Sequence, residues 1–412
     1  MAAAALDQPA IEAVASCPTG APEDEAWLVG AGSVALGDNL RHNRERTFVT
    51  GCKNMALVRP DVQRITGYIP GEQPQEAGWI KLNTNENPYP PSPAVREALH
   101  RAVDGPLQLY PDPLGTAFRQ QAAQLWQLDP DWFLPANGSD ENLTIVMRTF
   151  CDPGDLVVSL YPSYILYETL AALQGARHAR LLLNSEWQWD PQQAATLVSQ
   201  AKLVLVPNPN SPSGTRWSEA QLCRLIPPRG VLVLDQAYAD FAEPPLGVDL
   251  VRAAEGARIV VVRTLSKSFS LAGLRCGYAI AQPALIHEMR KVKDSYNCDR
   301  LALAGGTAAL ADHAWMQQHA YMIRQTRARL QQALVGLGFE VAPSQANFVW
   351  AVHPHHSARS LYEHLKQRKI LVRLMRFSEV PWAPDGILEG LRISIGLDEE
   401  IDALLDVLKN LL

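Results

Sequence analysis

Side chains of types that take part in catalysis follow directly after short apolar runs at several places in this sequence. The clearest example is RTLSKSFSLAGLR, in which a serine, a lysine and an arginine come after the run IVVVRT. Three other runs, LVVSL, LVLVP and VLVL, lead in the same way into YPSY, NPNSPSG and DQAY. The residues that follow these runs are Tyr164, Asn210, Ser211, Asp235, Tyr238, Ser266, Lys267 and Arg275.

Together these side chains offer several kinds of chemistry to one ligand. A lysine amine near cationic or apolar groups has a lowered pKa and becomes a nucleophile. A carboxylate at the end of a buried strand is costly unless a cation or hydrogen bonds compensate it, and an arginine beside hydroxyls binds phosphate. Pyridoxal 5'-phosphate needs an amine for its aldehyde, a carboxylate for its ring nitrogen, an aromatic stacking face and a phosphate anchor. The set therefore predicts a site for this cofactor.

The apolar runs that precede these residues predict the strands that position them. They are rich in valine and leucine, do not alternate with polar residues, and stand at 155–160, 201–207, 230–235 and 257–263. Such runs are typical of strands buried on both faces of a parallel sheet. Helical segments between them supply the crossovers, so the pattern indicates an α/β fold. Ligands of such sheets bind at the carboxyl ends of the strands, which is where the polar residues fall.

The segments on either side of this region differ in character. Residues 1–57 lack a regular pattern and predict a flexible N-terminal extension. SDENLTIVMRTF predicts a helix with Ser139 as its N-cap. The last hundred or so residues combine a long helical stretch with FEVAPSQANFVWAVH, KILVRLM and GLRISIG, and they predict a smaller α+β domain.

Composition excludes several classes of protein. The chain has 412 residues, 37 of them basic and 43 acidic, and a net charge of -6, so no nucleic-acid partner is expected. No apolar run is long enough for a membrane span. The six cysteines are scattered without metal-ligand or disulfide spacing, the histidines show no ligand pattern, and neither a metal nor a secretory signal is expected. These features favour a cytoplasmic protein.

In the order in which its motifs occur, the sequence resembles the fold-type I pyridoxal-phosphate enzymes and, within them, the histidinol-phosphate aminotransferase family. The resemblance runs from about residue 58 to the C-terminus and rests on these motifs: IKLNTNENPYPPSP, YPDPLG, ANGSDENL, NPNSPSGT, VLDQAYADF, RTLSKSFSLAGLRCGY and GLRISIG. It implies a large domain with a mostly parallel sheet and a smaller C-terminal α+β domain. The corresponding boundaries are 58–95 for an N-terminal arm with part of the small domain, 96–300 for the large domain and 301–412 for the small domain.

The resemblance also implies a role for individual residues. Lys267 would bond the cofactor aldehyde and move a proton during the reaction, Asp235 would pair with the ring nitrogen, and Tyr164 would stack on the ring. The phosphate would be bound by the backbone of Ser139 and Asp140, together with Ser266 and Arg275. Tyr110 would reach the phosphate of a neighbouring subunit, which implies a homodimer. The substrate would meet Arg392, Arg373, Tyr68 and Asn85.

Two positions depart from the family pattern. The family reads Asn-Asn-Pro-Thr-Gly where this chain has Asn210-Ser211-Pro212-Ser213-Gly214. Together with Tyr238, either Ser211 or a reoriented Asn210 is therefore expected to contact the ring oxygen of the cofactor. Gln236 also replaces the acid that the family carries directly after Asp235.

The function implied by the resemblance is transfer of an amino group from L-histidinol phosphate to 2-oxoglutarate, a step of histidine biosynthesis. Three alternatives remain open from the sequence. The first is a threonine-phosphate decarboxylase, and the second is an aminotransferase that acts on another amino acid, such as an aromatic one. The third is a regulator that uses the same fold without catalysis. It would require a DNA-binding module, and residues 1–57 show no helix-turn-helix pattern.

Overall fold

Two β-sheets organise the chain in the computed structural model, which describes residues 57–65, 67 and 71–412. The predicted N-terminal extension, apart from its last residue, and Tyr68 lie outside the described residues. The strands are β1 (Ile80–Leu82), β2 (Phe133–Ala136), β3 (Leu156–Tyr161), β4 (Arg177–Leu182), β5 (Leu203–Pro207), β6 (Val231–Asp235), β7 (Ile259–Thr264), β8 (Gly277–Ile280), β9 (Glu340–Val341), β10 (Phe348–Val352), β11 (Ile370–Phe377) and β12 (Leu388–Ser394).

The helices connect these strands and cover the sheets. They are α1 (Pro60–Arg64), α2 (Pro93–Val103), α3 (Thr116–Trp126), α4 (Ser139–Phe150), α5 (Leu166–Gln174), α6 (Pro191–Gln200), α7 (Glu219–Cys223), α8 (Asp249–Arg252), α9 (Pro283–Val292), α10 (Arg300–Ala311), α11 (His313–Gly336), α12 (Ala358–Gln367) and α13 (Asp398–Lys409). Among the residues that the structure describes, no helix has the length and apolar character that a membrane crossing requires.

The larger sheet has seven strands in the order β2-β8-β7-β6-β5-β3-β4. Only β8 runs antiparallel to its neighbours β2 and β7, whereas the other pairs are parallel. Every residue of β5, β6 and β7 is buried, which explains why their sequences are continuous apolar runs. The prediction of a mostly parallel sheet in an α/β fold is confirmed.

The smaller sheet has five strands in the order β1-β11-β12-β10-β9. It combines strands from the last part of the chain with β1, which pairs in parallel with β11. The antiparallel pairing of β11 with β12 places Arg373 directly opposite Arg392. The described residues form one compact unit, and the domain boundaries given above stay a prediction.

The start of α4 differs from the sequence prediction. The residue at the cap position is Gly138, with a φ of +86°, and Ser139 is the first helical residue, with no side chain capping the helix. A side chain at position 138 would collide with Arg275, because an ideal Cβ there would lie 2.6 Å from its Nη2. The positive φ at position 138 requires glycine, and Arg275 leaves little room for a side chain there, so the helix begins at Ser139, the residue predicted as its cap.

Candidate active site

A cavity of about 220 Å³ lies where the carboxyl ends of β5, β6 and β7 meet the start of α4 and the smaller sheet. It brings together most of the residues selected from the sequence: Asn85, Ser139, Asp140, Tyr164, Ser211, Asp235, Tyr238, Ser266, Lys267, Arg275, Arg373 and Arg392. A larger groove of about 620 Å³, lined by α2, α3 and α10, contains none of them and is mostly apolar. The smaller cavity is therefore the candidate active site.

Lys267 is half-buried and lines this cavity. Its Nζ donates a hydrogen bond to the carbonyl oxygen of Thr84 at 3.1 Å. Burial, and then the positive charge of Arg392, lower the pKa of Lys267 from 10.5 to about 8. A substantial fraction of the amine is therefore neutral near physiological pH, which is the state that attacks an aldehyde.

Asp235, the last residue of β6, is a buried carboxylate. Its Oδ2 accepts a hydrogen bond from the Tyr167 hydroxyl at 2.9 Å, and its Oδ1 accepts one from the backbone N–H of Ala237 at 3.1 Å. Burial raises the pKa of Asp235 to about 6, although these two hydrogen bonds oppose the rise. No salt bridge joins Asp235 to another of the described residues, so the site offers a carboxylate to a cationic ligand atom.

An anion site lies where α4 begins. Arg275 donates to the Ser266 hydroxyl at 3.3 Å and forms a salt bridge with Asp140 at 3.5 Å. The first backbone N–H groups of α4 have no partner within the helix and carry the positive end of its dipole. An arginine, a serine hydroxyl and a helix N-terminus together suit a phosphate group.

The structure separates the two candidates for the ring-oxygen contact. Asn210 is fully buried and holds the turn together, because its amide accepts from Ser163 at 2.9 Å and donates to Ser213 at 3.0 Å. It does not line the cavity, whereas Ser211 and Tyr238 do. Ser211 in turn accepts a hydrogen bond from Nη1 of Arg392 at 3.1 Å. Asn210 therefore holds this loop together, and Ser211 is the one of the two candidates that lines the cavity.

Asn85 lies deeper than the entrance position expected for it. It is 1% exposed and adopts a left-handed backbone conformation, with a φ of 56°. Its side-chain amide donates to the Tyr238 hydroxyl at 3.0 Å and accepts from Ser394 at 3.0 Å. These contacts link Tyr238 to β12 of the smaller sheet.

Two arginines from the smaller sheet provide positive charge to the cavity. Arg373 and Arg392 are cross-strand neighbours, and both line it. Nη2 of Arg392 donates to the carbonyl oxygen of Asn83 at 3.0 Å, and its guanidinium carbon lies 5.4 Å from the centre of the Phe348 ring. The planar guanidinium group pairs with carboxylate and phosphate alike.

Tyr110, like Asn210, is a selected residue that does not line the cavity. Its ring is stacked on that of Tyr296, with 4.3 Å between ring centres, and the residue is 77% exposed. Arg300 donates to the carbonyl oxygens of Leu109 and Tyr110 at 3.3 Å and so holds this loop. Tyr110 therefore does not contribute to the site of its own chain.

The residues present fit pyridoxal 5'-phosphate. Lys267 offers an amine for the aldehyde. Asp235 offers a buried carboxylate, which forms no salt bridge within the described part of the chain, for the protonated ring nitrogen. A phosphate cradle is formed by Arg275, which donates a hydrogen bond to the Ser266 hydroxyl, and by the first turn of α4. Gly277 helps to make this cradle compact, because an ideal Cβ there would lie 2.8 Å from the backbone nitrogen of Ser139.

Comparison with known proteins supports the same assignment. The family model described as "Aminotransferase class I and II" matches residues 77–408. The chain belongs to this aminotransferase family. It is 47% identical to a histidinol-phosphate aminotransferase of Rhodopirellula baltica, over 84% of this chain and 93% of the relative. It is 44% identical to a histidinol-phosphate aminotransferase of a Synechocystis species, over 85% of this chain and 97% of the relative.

Solved structures of aminotransferases share the fold. The histidinol-phosphate aminotransferase of Sinorhizobium meliloti, determined in complex with pyridoxal-5'-phosphate, has a TM-score of 0.76 and 23% sequence identity. The similarity covers 87% of this chain and all of the S. meliloti chain. A fold-type I aminotransferase architecture therefore holds the cavity described above.

Sequence reasoning missed several residues of this site. Tyr167 bonds Asp235, and burial raises its pKa well above the ordinary value, so it remains a hydrogen-bond donor. It stands three residues after Tyr164, just inside the start of α5, and this spacing could have indicated it. Thr84 contacts Lys267 through its backbone oxygen, so no side-chain pattern could have revealed it. Gly71 and Gln73 also line the cavity.

Proposed function

We propose that this aminotransferase moves the amino group of L-histidinol phosphate to 2-oxoglutarate, giving imidazole acetol phosphate and L-glutamate in histidine biosynthesis. The observation that carries the proposal is the pair Arg373 and Arg392 in the same cavity as Lys267. Two curated relatives that cover most of the chain are histidinol-phosphate aminotransferases, which supports the same substrate.

The two substrates present different anions to one site. Histidinol phosphate has a phosphate group and no α-carboxylate, whereas glutamate and 2-oxoglutarate have two carboxylates. A guanidinium fork binds either anion through paired N–H groups. Arg392 and Arg373 can therefore serve both halves of the reaction, with Ser211 holding one N–H group of Arg392 in place.

The cofactor in this proposal is pyridoxal 5'-phosphate, which supplies an aldehyde for the amino group and a ring that withdraws electrons from the substrate carbon. Lys267 would hold the aldehyde, and its amine is the group in this cavity that would take and return the proton at the substrate carbon. Asp235 would pair with the protonated ring nitrogen.

We also propose that the protein works as a homodimer in the cytoplasm. Tyr110 is exposed on a loop next to the apolar groove between α2, α3 and α10, where Leu107 and Leu109 are exposed as well. An exposed apolar surface of this kind suits a subunit contact. A second copy covering this surface would let Tyr110 approach the phosphate site of its neighbour. The free thiols of the described cysteines suit a reducing compartment.

Replacement of Arg392 tests the shared anion site. Arg392→Gln keeps a hydrogen-bonding side chain and removes the charge, so we expect both half-reactions to lose about 2–5 kcal/mol of transition-state stabilisation, measured as kcat/KM. Arg376→Gln is the matched control, because Arg376 is exposed on the same sheet and lies outside the cavity. Loss of only one half-reaction would contradict a shared site.

A further inference from the structure

A buried arginine outside the cavity is linked by hydrogen bonds to the segment that carries Asp235 and to the segment that carries Lys267. Arg263, on β7, is 3% exposed. Its guanidinium group has three kinds of polar partner, namely the side chain of Gln236, the side chain of Asp240 and the carbonyl oxygen of Leu246. The guanidinium carbon also lies 4.3 Å from the centre of the Trp126 ring. None of these contacts involves a residue to which the proposed mechanism gives a role.

The first connection runs to the cofactor carboxylate. Gln236 directly follows Asp235, and its Oε1 accepts from Nε of Arg263 at 3.1 Å and from Nη2 at 2.9 Å. Its backbone N–H donates to the carbonyl oxygen of Val262 at 2.9 Å. The peptide after Asp235 is therefore attached to β7 through both its backbone and its side chain, which fixes where β6 ends.

The second connection runs to the lysine loop. Asp240 accepts from Nη1 of Arg263 at 2.9 Å through Oδ1, and from the Ser268 hydroxyl at 2.6 Å through Oδ2. Ser268 directly follows Lys267 and is 2% exposed. Its carbonyl oxygen also accepts from Nδ2 of Asn87 at 3.0 Å. The backbone on the C-terminal side of Lys267 is thus held by the same network.

The charges of this network balance. Arg263 and Asp240 form a buried salt bridge, with side chains 4% and 12% exposed, and Gln236 adds hydrogen bonds without charge. A buried pair of this kind contributes little net stability compared with apolar packing, but it fixes geometry when its hydrogen bonds are satisfied. The network lies outside the cavity and bonds the residues that directly follow Asp235 and Lys267, so it can orient these two side chains.

We infer that Arg263 is a positioning residue, which sets the place of Asp235 through Gln236 and the place of Lys267 through Asp240 and Ser268. The two groups act on one bound cofactor, and displacement of a reacting group by about 1 Å can cost a hundredfold in rate. The inference rests on the aminotransferase activity and is independent of which amine is the donor.

Ser268→Ala is the most selective test, because it removes the bond to the lysine loop and leaves the contacts of Arg263 unchanged. With the holoenzyme we expect kcat of the glutamate half-reaction to fall about tenfold while KM changes by less than about twofold. We also expect a changed amplitude of the visible circular dichroism of the bound cofactor, which reports its orientation. Neither readout depends on histidinol phosphate, so failure of the proposed substrate would leave this test intact.

Ser159→Ala is the matched control. Ser159 is also 2% exposed, and its hydroxyl bonds His178 at 2.9 Å away from the cavity. We expect this variant to lose stability without a change in kcat or in the circular dichroism band. Arg263→Lys keeps the positive charge but loses the planar set of N–H donors. It should change kcat and the circular dichroism band in the same direction as Ser268→Ala. If Ser268→Ala matches Ser159→Ala in kcat and in the circular dichroism band, the network only stabilises the fold and the inference is wrong.

Discussion

Burial moves both titrating groups of the site towards their neutral forms. It lowers the pKa of Lys267 to about 8 and raises that of Asp235 to about 6. For the lysine this yields a nucleophile. For the aspartate it yields a carboxylate whose ionised form is stabilised by a positive partner, because an opposite charge favours ionisation. The cationic ring nitrogen of the cofactor would supply that partner and keep Asp235 ionised.

The first residue-scale prediction concerns Lys267. Borohydride treatment of the holoenzyme should fix the cofactor on the peptide that contains Lys267, as read by mass spectrometry. Lys267→Ala should take no label and lose turnover, whereas Lys202→Ala should behave as wild type, since Lys202 precedes β5 at the opposite end of the sheet. Full turnover by Lys267→Ala would refute the role given to this amine.

The lowered pKa of Lys267 also gives a pH dependence with a defined sign. Between pH 8 and 10.5 the unfolded chain keeps this proton while the folded, cofactor-free chain releases it. The free energy of unfolding of the cofactor-free protein should therefore rise with pH across this window, compared with Lys267→Met. Denaturant titrations at several pH values measure the difference, and parallel curves for the two proteins would contradict the shifted pKa.

At the scale of elements, the sequence predicts the strands better than the details of the loops. The runs before Asp235 and Lys267 are apolar because β6 and β7 are buried on both faces, so their positions could be predicted from composition alone. The carboxyl-end rule then brings the two residues to one edge of the sheet. Which of Asn210 and Ser211 faces the cavity depends on side-chain hydrogen bonds to Ser163 and Arg392, which come from distant parts of the chain.

The N-terminus of α4 shows the same limit of prediction from sequence. Serine is a preferred N-cap residue, so local preference selects Ser139. The observed cap is Gly138, whose φ of +86° requires glycine and whose ideal Cβ would lie 2.6 Å from Arg275, a residue far away in sequence. Long-range contacts of this kind override local preference. A long-range contact also brings the backbone oxygen of Thr84 into hydrogen-bond distance of Lys267.

The phosphate cradle gives a prediction at this scale. Gly138→Ala should weaken cofactor binding about tenfold or more, because the added Cβ would lie 2.6 Å from Nη2 of Arg275 and displace it. Gly154→Ala is a close control, since Gly154 has a φ of +87° and no atom within 4 Å of its ideal Cβ. Both variants should lose about 1 kcal/mol or more of stability from the positive φ. Equal cofactor affinities in an absorbance titration would contradict the cradle.

At the scale of the whole molecule, the site is built from both sheets. The larger sheet supplies Asp235 and Lys267, and the smaller sheet supplies the two arginines that we assign to the substrate. Asn85 connects the two, because it bonds Tyr238 near the end of β6 and Ser394 at the end of β12. The sequence alone could not place Asn85 here, since both of its partners are far from it along the chain.

The proposed homodimer is the molecular-scale prediction. Light scattering at micromolar concentration should give roughly twice the chain mass of 45.4 kDa. Tyr110→Phe should keep this mass and bind the cofactor more weakly, because the lost hydroxyl is the group proposed to reach the neighbouring phosphate. Tyr321→Phe, another exposed tyrosine, is the control. A fully active monomer would rule out a shared site.

Substrate preference distinguishes histidinol phosphate from the other candidate donors. In single turnovers of the holoenzyme, the decay of the visible cofactor band would be followed with histidinol phosphate, phenylalanine, glutamate and threonine phosphate in turn, and released CO₂ would be measured with the last. We expect rapid reaction with histidinol phosphate and with glutamate, slower reaction with phenylalanine and no CO₂ from threonine phosphate. A clear preference for phenylalanine over histidinol phosphate, or release of CO₂, would contradict the proposed function while leaving the aminotransferase fold in place.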